Sequence, residues 1–276
     1  MIAYDFEYYR PDTLKQATDL FIKLNNESKS PIYYSGGTEF ISMARMNNIF
    51  TKAVIDIKTI PECNILTKEN RKVFIGSAVT LTQINESNIF PLLAKTASRI
   101  ADHTIQDKVT LGGNICGTII YRSAVLPLLL TDCTIMTYGP DGAKTHDIHN
   151  IFNERMLLGN GEFVVQAVIN EDYVTMPYSH AKITKQEKID YPLIESAAIR
   201  KNNEIRIAFS ALCGFPFRSV KVEQVLNNKS FSPEDRLSKI LCSLPGDILS
   251  DISGSAEYRR FVLGNVIQDT LERLGL

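Results

Sequence analysis

Several of the usual signatures of catalysis are missing from this sequence. It has no G-x-G-x-x-G of a dinucleotide fold, no G-x-x-x-x-G-K-[ST] phosphate loop and no G-x-S-x-G nucleophile elbow. Cysteine is sparse: Cys63, Cys116, Cys133, Cys213 and Cys242 are scattered and never spaced C-x-x-C. That spacing excludes a disulfide framework, a zinc site and an iron–sulfur cluster bound by this chain alone. Charge of one sign is lacking too. A net charge of -1 gives no electrostatic reason to expect nucleic acid or an anionic membrane as partner. The opening M-I-A-Y-D-F-E-Y-Y-R-P carries acids and no long apolar run, so it reads as neither a signal peptide nor a transmembrane segment, and a cytoplasmic protein is expected. No repeat of fixed period and no low-complexity tract breaks the chain.

What is present is an ordinary globular composition, with 44% hydrophobic and 22% charged residues over 276 positions. That length allows about one to three domains at roughly 100–200 residues each. Two glycine pairs stand out, Ser35-Gly36-Gly37-Thr38-Glu39 and Thr110-Leu111-Gly112-Gly113-Asn114. Glycine reaches positive φ and carries no Cβ, so successive N–H groups can curl into a nest around an anion such as a pyrophosphate. A single G-G also serves as a tight turn. Two of them, each with a threonine at its rim, suit one long ligand.

Around these pairs the chain alternates helix and strand. Leu14, Ala17, Phe21 and Leu24 recur at helical spacing within 11–26, with Thr13 and Gln16 placed as a capping box. Strands are predicted at 31–34, 53–57 and 72–79, and Thr80 with Gln83 forms a second capping box before a short helix. Residues 91–103 read as one helix leading into the second glycine pair. The run 126–130 either covers the ligand or forms a core helix, and the core is the better assignment. Strands follow at 134–138 and 162–169, with a turn at 139–142. Beyond Pro177 a separate unit is predicted, with strands near 193–200 and 204–211 and helices over 219–227, 233–244 and 256–274.

His146 and His149 form an H-x-x-H, but in a turn-like segment without a third ligand, so a solvated loop is expected and no metal. Cys116 reads as a small packing residue. No acid–base pair announces itself. Ligand nests without such machinery point to a cofactor that carries the chemistry itself.

The two pairs resemble the A-G-G-T-D and T-I-G-G-N loops of the FAD-binding medium subunit of molybdenum hydroxylases, the family of xanthine dehydrogenase, nicotinate dehydrogenase and carbon monoxide dehydrogenase flavoprotein subunits. Phe6 with Pro11-Asp12-Thr13-Leu14-Lys15-Gln16-Ala17 is similar to its opening F-x-x-P-x-[ST]-L-x-E-A, and Ile105-Gln106-Asp107 to the I-R-N before the second loop. Leu157-Leu158 with Gly161-Glu162-Phe163-Val164 resembles a strand entry of the family, and Ser255-Ala256-Glu257-Tyr258-Arg259-Arg260 its S-A-E-Y-R-R. The resemblance spans nearly the whole chain. It implies an α+β fold: a two-lobed FAD-binding domain of the vanillyl-alcohol oxidase/MurB type at 1–175, with lobes about 1–57 and 58–175, then a smaller α/β domain at 176–276.

It also implies residues. Ser35, Gly36, Gly37, Thr38, Glu39 and Phe40, with Thr110, Gly112, Gly113, Asn114 and Ile115, are expected to wrap the FAD pyrophosphate and reach toward the flavin. Leu158 matches a leucine that packs on the ring, Ala101 and Ile105 fall among residues lining the cofactor, and Lys182 matches a cofactor-facing lysine. No residue of this chain is assigned as catalytic. Two departures stand out: Ser123, whose hydroxyl is still expected to bond the cofactor, stands where many members carry an Asp, and Ile119-Ile120 where a polar residue and Pro are common. The implied function is an electron-transfer flavoprotein subunit. It takes electrons from an iron–sulfur small subunit, itself served by a molybdopterin large subunit, and passes them to an acceptor such as NAD⁺. A self-contained MurB-like FAD oxidoreductase and a cofactor-free scaffold subunit are the other readings.

Overall fold

The computed structural model describes residues 1–185 and 190–275. Its first lobe is a β-α-β-α-β unit: β1 (Glu7–Tyr9), α1 (Leu14–Asn26), β2 (Ile32–Tyr34), α2 (Thr38–Arg45) and β3 (Ala53–Asp56). All three strands are parallel, in the order β1-β3-β2. α1 forms where its periodicity places it, with Ala17 and Leu24 fully buried and the Thr13 hydroxyl accepting from the Gln16 N–H. The first glycine pair lies between β2 and α2, at the carboxyl end of a parallel strand, where open parallel sheets present their ligands.

The second lobe begins with β4 (Leu66–Glu69) and β5 (Lys72–Gly76), then α3 (Leu81–Ser87), where Thr80 and Gln83 make both hydrogen bonds of the capping box. The helix expected over 91–103 stops early. α4 is Pro91–Ala97 and a separate α5 is His103–Gln106. Ala101 between them takes a left-handed φ of 53°, and Asp102 starts the new helix by accepting the Ile105 N–H at 2.9 Å. The second glycine pair is helical as well, in α6 (Leu111–Cys116), and 126–130 becomes the wholly buried α7 (Val125–Leu130). β6 (Thr134–Gly139) and β7 (Gly142–Asp147) form a hairpin about the expected turn, followed by α8 (Ile148–Ile151), β8 (Phe152–Asn153), β9 (Arg155–Met156) and β10 (Phe163–Asn170). The five long strands make an antiparallel sheet ordered β4-β5-β10-β6-β7. His146 thus sits on a strand and His149 in a helical turn, where a loop was expected.

The third sheet, β11-β12-β13-β14, is antiparallel: β11 (Tyr178–Thr184), β12 (Pro192–Lys201), β13 (Glu204–Ser210) and β14 (Phe217–Arg218). α9 (Val220–Leu226), α10 (Pro233–Leu241) and α11 (Ala256–Leu274) complete the chain. β12 is buried from Pro192 to Ile199, as a strand covered on both faces must be. Ile194, Ala198 and Phe209 pack with α11 residues such as Leu263 and Val266, while Ala197, Ile199 and Ala208 join the core around α7. The third sheet is therefore built into the second lobe by shared apolar burial. No helix of the described residues is long and apolar enough to cross a membrane.

Candidate functional site

The two glycine pairs are brought together. An added Cβ on Gly36 would overlap the Lys108 carbonyl oxygen, and one on Gly37 would run into the Tyr34 ring. Gly37 has a φ of 71° and is the N-cap of α2 without any side-chain cap, so the first-turn N–H groups of α2 keep their donors unspent on a capping side chain. Ser35 contributes a buried hydroxyl with no partner among the described residues. Lys58 braces this loop from below: its ammonium donates to the Ser35 carbonyl at 2.9 Å, pairs with the buried Asp56 at 2.6 Å and lies 4.7 Å from the centre of the Tyr34 ring.

Glu39, in the first turn of α2, crosses to the other loop. The Thr118 N–H donates to its Oε1 at 2.7 Å and the Thr118 hydroxyl to the same oxygen. Thr38 is half-buried beside it at the start of α2. The Phe40 side chain, in contrast, packs edge-on to Phe6 and Tyr34 in the core, which leaves only its backbone for any ligand.

The second pair is not the bare nest expected from its composition. Leu111 N–H donates to Val79 O at 2.9 Å, Gly112 N–H to Ser77 O at 2.8 Å, Gly113 N–H to the Thr110 hydroxyl at 3.2 Å and Asn114 N–H to Thr110 O at 2.9 Å. All four donors are spent: two pin α6 to the segment just after β5, and two close its own first turn on Thr110. Gly112 is a packing glycine, since a Cβ there would meet Ser77 Cβ at 2.6 Å, and the Ile115 side chain is fully buried in the core. What α6 offers is its exposed surface at Gly113, where an added Cβ would approach only the Thr110 hydroxyl, at 3.0 Å. Asn114 accepts the Ala124 N–H at 3.0 Å and so fixes the chain that follows. Cys116 is exposed rather than packed, because α6 ends there.

Ala101 and Ile105 flank the turn ahead of α6; Ile105 is 40% exposed. That turn is shaped by Gln106, which the sequence placed in the I-R-N match without a role: its buried amide donates to the carbonyls of Ser98, Ile100 and Ala101 at 3.2, 3.0 and 3.2 Å. Lys182 reaches the same segment from β11, donating to Arg99 O at 2.5 Å. Burial pushes its ammonium below the ordinary lysine value, and the Glu195 carboxylate opposes that shift. Leu158 is half-buried against the large core.

Ser123 is occupied elsewhere. Its hydroxyl donates to Oε2 of Glu195, a fully buried carboxylate on β12 whose other oxygen lies 3.0 Å from His180 Nε2. The pair of buried acceptor oxygens claims the hydroxyl that the sequence assigned to a cofactor. Two hollows among the described residues, of about 410 Å³ beside Tyr9, Pro11 and Lys23 and about 600 Å³ beside Arg206 and Arg218, lie away from the loops.

The family described as the FAD binding domain in molybdopterin dehydrogenase matches residues 4–169, more than half of the chain and both glycine pairs. The chain belongs to this FAD-binding family. Residues 180–274 match the CO dehydrogenase flavoprotein C-terminal domain. The carbon monoxide dehydrogenase medium chain of Hydrogenophaga pseudoflava is 23% identical over 98% of this chain and 97% of its own length. The nicotinate dehydrogenase FAD-subunit of Eubacterium barkeri is 23% identical over 69% of this chain and 67% of its own. Among solved structures, carbon monoxide dehydrogenase from Hydrogenophaga pseudoflava superposes with a TM-score of 0.87 at 23% identity, covering 99% of this chain and 98% of that one. Quinoline 2-oxidoreductase from Pseudomonas putida 86 superposes with 0.84 at 16%, covering 98% and 96%. This family member is thus a flavoprotein subunit of the molybdenum hydroxylase kind, an oxidoreductase with FAD as its cofactor; iron–sulfur and molybdopterin groups belong to partner subunits in the family.

Proposed function

We propose that this chain carries electrons between an iron–sulfur partner subunit and a terminal acceptor such as NAD⁺, in a complex whose molybdopterin subunit oxidises the substrate. The observation that carries the reading is the junction of the two loops, with Gly36 against Lys108 and Glu39 on Thr118. A cradle left uncapped at α2, with the orphan hydroxyl of Ser35 in its wall, fits the diphosphate of FAD. We assign Ser35, Gly36, Gly37, Thr38 and Glu39 to that end, with backbone alone from Phe40. Thr110, Gly112, Ile115 and Ser123 hold the frame, while Gly113 and Asn114 face the ligand.

Ala101, Ile105, Leu158 and Lys182 would bound the ring end. FAD, when bound, accepts electrons singly and gives them up as a pair. The protein's own share is mechanical and electrostatic: Leu158 and Ile105 exclude water, and Lys182 supplies a half-buried positive charge held at the Arg99 carbonyl. We place the division between the FAD domain and the C-terminal domain near Pro177. The purified full chain, titrated with FAD and followed by its visible spectrum, tests the reading. A flavin spectrum with one FAD per chain is expected; a colourless chain that binds no added FAD overturns it.

A further inference from the structure

Arg122 stands out among the charged groups that sequence reasoning left unassigned. It is 4% exposed, and its Nη1 donates to the Gly117 carbonyl at 2.9 Å while Nη2 donates to the Glu154 carbonyl. Its Nε is buried and without a partner, and no carboxylate forms an ion pair with it among the described residues. A guanidinium taken out of water against carbonyls alone is expensive to bury. Its charge therefore needs an answer nearby. Gly117 provides the link: one side of this residue is bonded to Arg122 through its carbonyl, and on the other an added Cβ would overlap Glu39 Oε2. The Glu39 carboxylate reaches that spot only because residue 117 has no side chain. It too lacks an ion pair among the described residues and is bonded to Thr118 alone.

The second carbonyl is equally telling. Glu154 is the left-handed turn residue, φ 62°, between β8 and β9, and the chain runs on from β9 to Leu158. Arg122 thus joins the end of α6 to the hairpin that leads to Leu158, with its ring-facing carbon 5.9 Å from the centre of Phe152 on that hairpin.

We propose that Arg122 is a positioning residue for the flavin cleft: its guanidinium ties α6 to the β8–β9 hairpin and supplies the internal counter-charge for Glu39 and for a bound diphosphate. The inference rests on the FAD reading above and adds the charge balance that reading lacks, since Glu39 and a diphosphate would otherwise face one another as like charges.

The test is a double-mutant cycle on the full chain, with FAD affinity measured by fluorescence titration and the flavin midpoint potential by spectroelectrochemistry. Arg122→Met is expected to weaken FAD binding about tenfold or more and to lower the potential. Glu39→Gln in the Arg122→Met background is expected to restore part of that affinity, because it removes the carboxylate left unbalanced; a purely structural arginine would give no such recovery. Arg122→Lys, which keeps the charge but cannot span both carbonyls, is expected to hold the potential near wild type while weakening binding less than Arg122→Met. If Arg122→Met fails to fold, the same cycle with Arg122→Lys is read by its potential, and a potential that falls overturns the proposal. Affinity within about twofold of wild type for Arg122→Met, or losses from the two sites that simply add, also overturns it. Failure of the wild-type chain to bind FAD would instead remove the underlying reading.

Discussion

Gly36 and the Lys108 carbonyl are in backbone contact, with no room between them for a single methyl group. The contact is where the first lobe closes on the segment that enters α6. Gly36→Ala is therefore expected to push the loops apart, at a cost of about 1–3 kcal/mol in stability and about tenfold or more in FAD affinity. Urea denaturation and flavin fluorescence titration measure the two effects. Retention of wild-type affinity would place the ligand elsewhere.

Gly113 is the contrasting case, because an added Cβ would meet no backbone and only the Thr110 hydroxyl, at 3.0 Å. Glycine inside a helix is unfavourable by roughly 0.5–1 kcal/mol relative to alanine, so Gly113→Ala is expected to leave the apo chain within about 1 kcal/mol of wild type. FAD affinity is nonetheless expected to fall, since the methyl group enters the surface assigned to the cofactor. Melting curves with and without FAD separate the two: the apo midpoint stays, and the FAD-induced rise shrinks. An undiminished rise would remove Gly113 from the site.

Asp132 is the hub of an ion cluster joining the second lobe to the third sheet, with Arg206 at 2.6 Å, Arg218 at 3.3 Å and the Tyr173 hydroxyl at 2.6 Å. Burial alone would raise its carboxyl, but the tyrosine hydroxyl and the two guanidinium groups hold it well below the usual aspartate range. The folded value lies below the unfolded one, so the unfolded chain takes up the proton first as pH falls. The stabilisation is complete above the unfolded value, near pH 4, and is lost as pH falls toward the depressed folded value. Asp132→Asn should be less stable than wild type at pH 7 and show a shallower loss on acidification. Urea midpoints measured from pH 7 down to about pH 3 check it; parallel curves would assign the acid limb to other carboxylates.

Arg259 anchors the C-terminal helix from inside the protein. It is fully buried, pairs with both oxygens of Asp251 at 2.9 and 3.0 Å, and donates to the carbonyls of Leu193, Leu249 and Gly254. Arg259→Met takes the charged donor from Asp251, which keeps the Ser253 N–H, and from the Leu193 and Leu249 carbonyls, while Gly254 keeps the Asp251 N–H. A loss of about 3–5 kcal/mol is expected in chemical denaturation. A loss below about 1 kcal/mol would mean that water replaces the guanidinium without strain.

The elements that were legible are those whose signal is local. The spacing of Ala17 and Leu24, the Thr80–Gln83 capping box and the turn at Gly139 to Gly142 all needed only their neighbours. α6 was not legible, because Leu-Gly-Gly-Asn-Ile-Cys has poor helix propensity and is held helical by bonds to Val79 and Ser77, more than thirty positions earlier. β11 was missed for a related reason: Tyr178–Thr184 mixes polar and apolar residues on a half-buried edge, and its partner in the sheet lies beyond the next loop. At the site, the glycines announced where backbone comes close, but not which donors were already spent. Ser123 illustrates the limit, since its partner Glu195 lies 72 positions away and carries no motif. Arg122 belongs to no motif, and only the convergence of the Gly117 and Glu154 carbonyls on it sets it apart.

Ser123 and His180 share one buried carboxyl group, that of Glu195, at the seam between front and tail. A gene cut at that seam would leave each product with a greasy face and a polar atom that has lost its mate. Anyone trimming this fold to a minimal flavin carrier must repaint the seam or keep the tail.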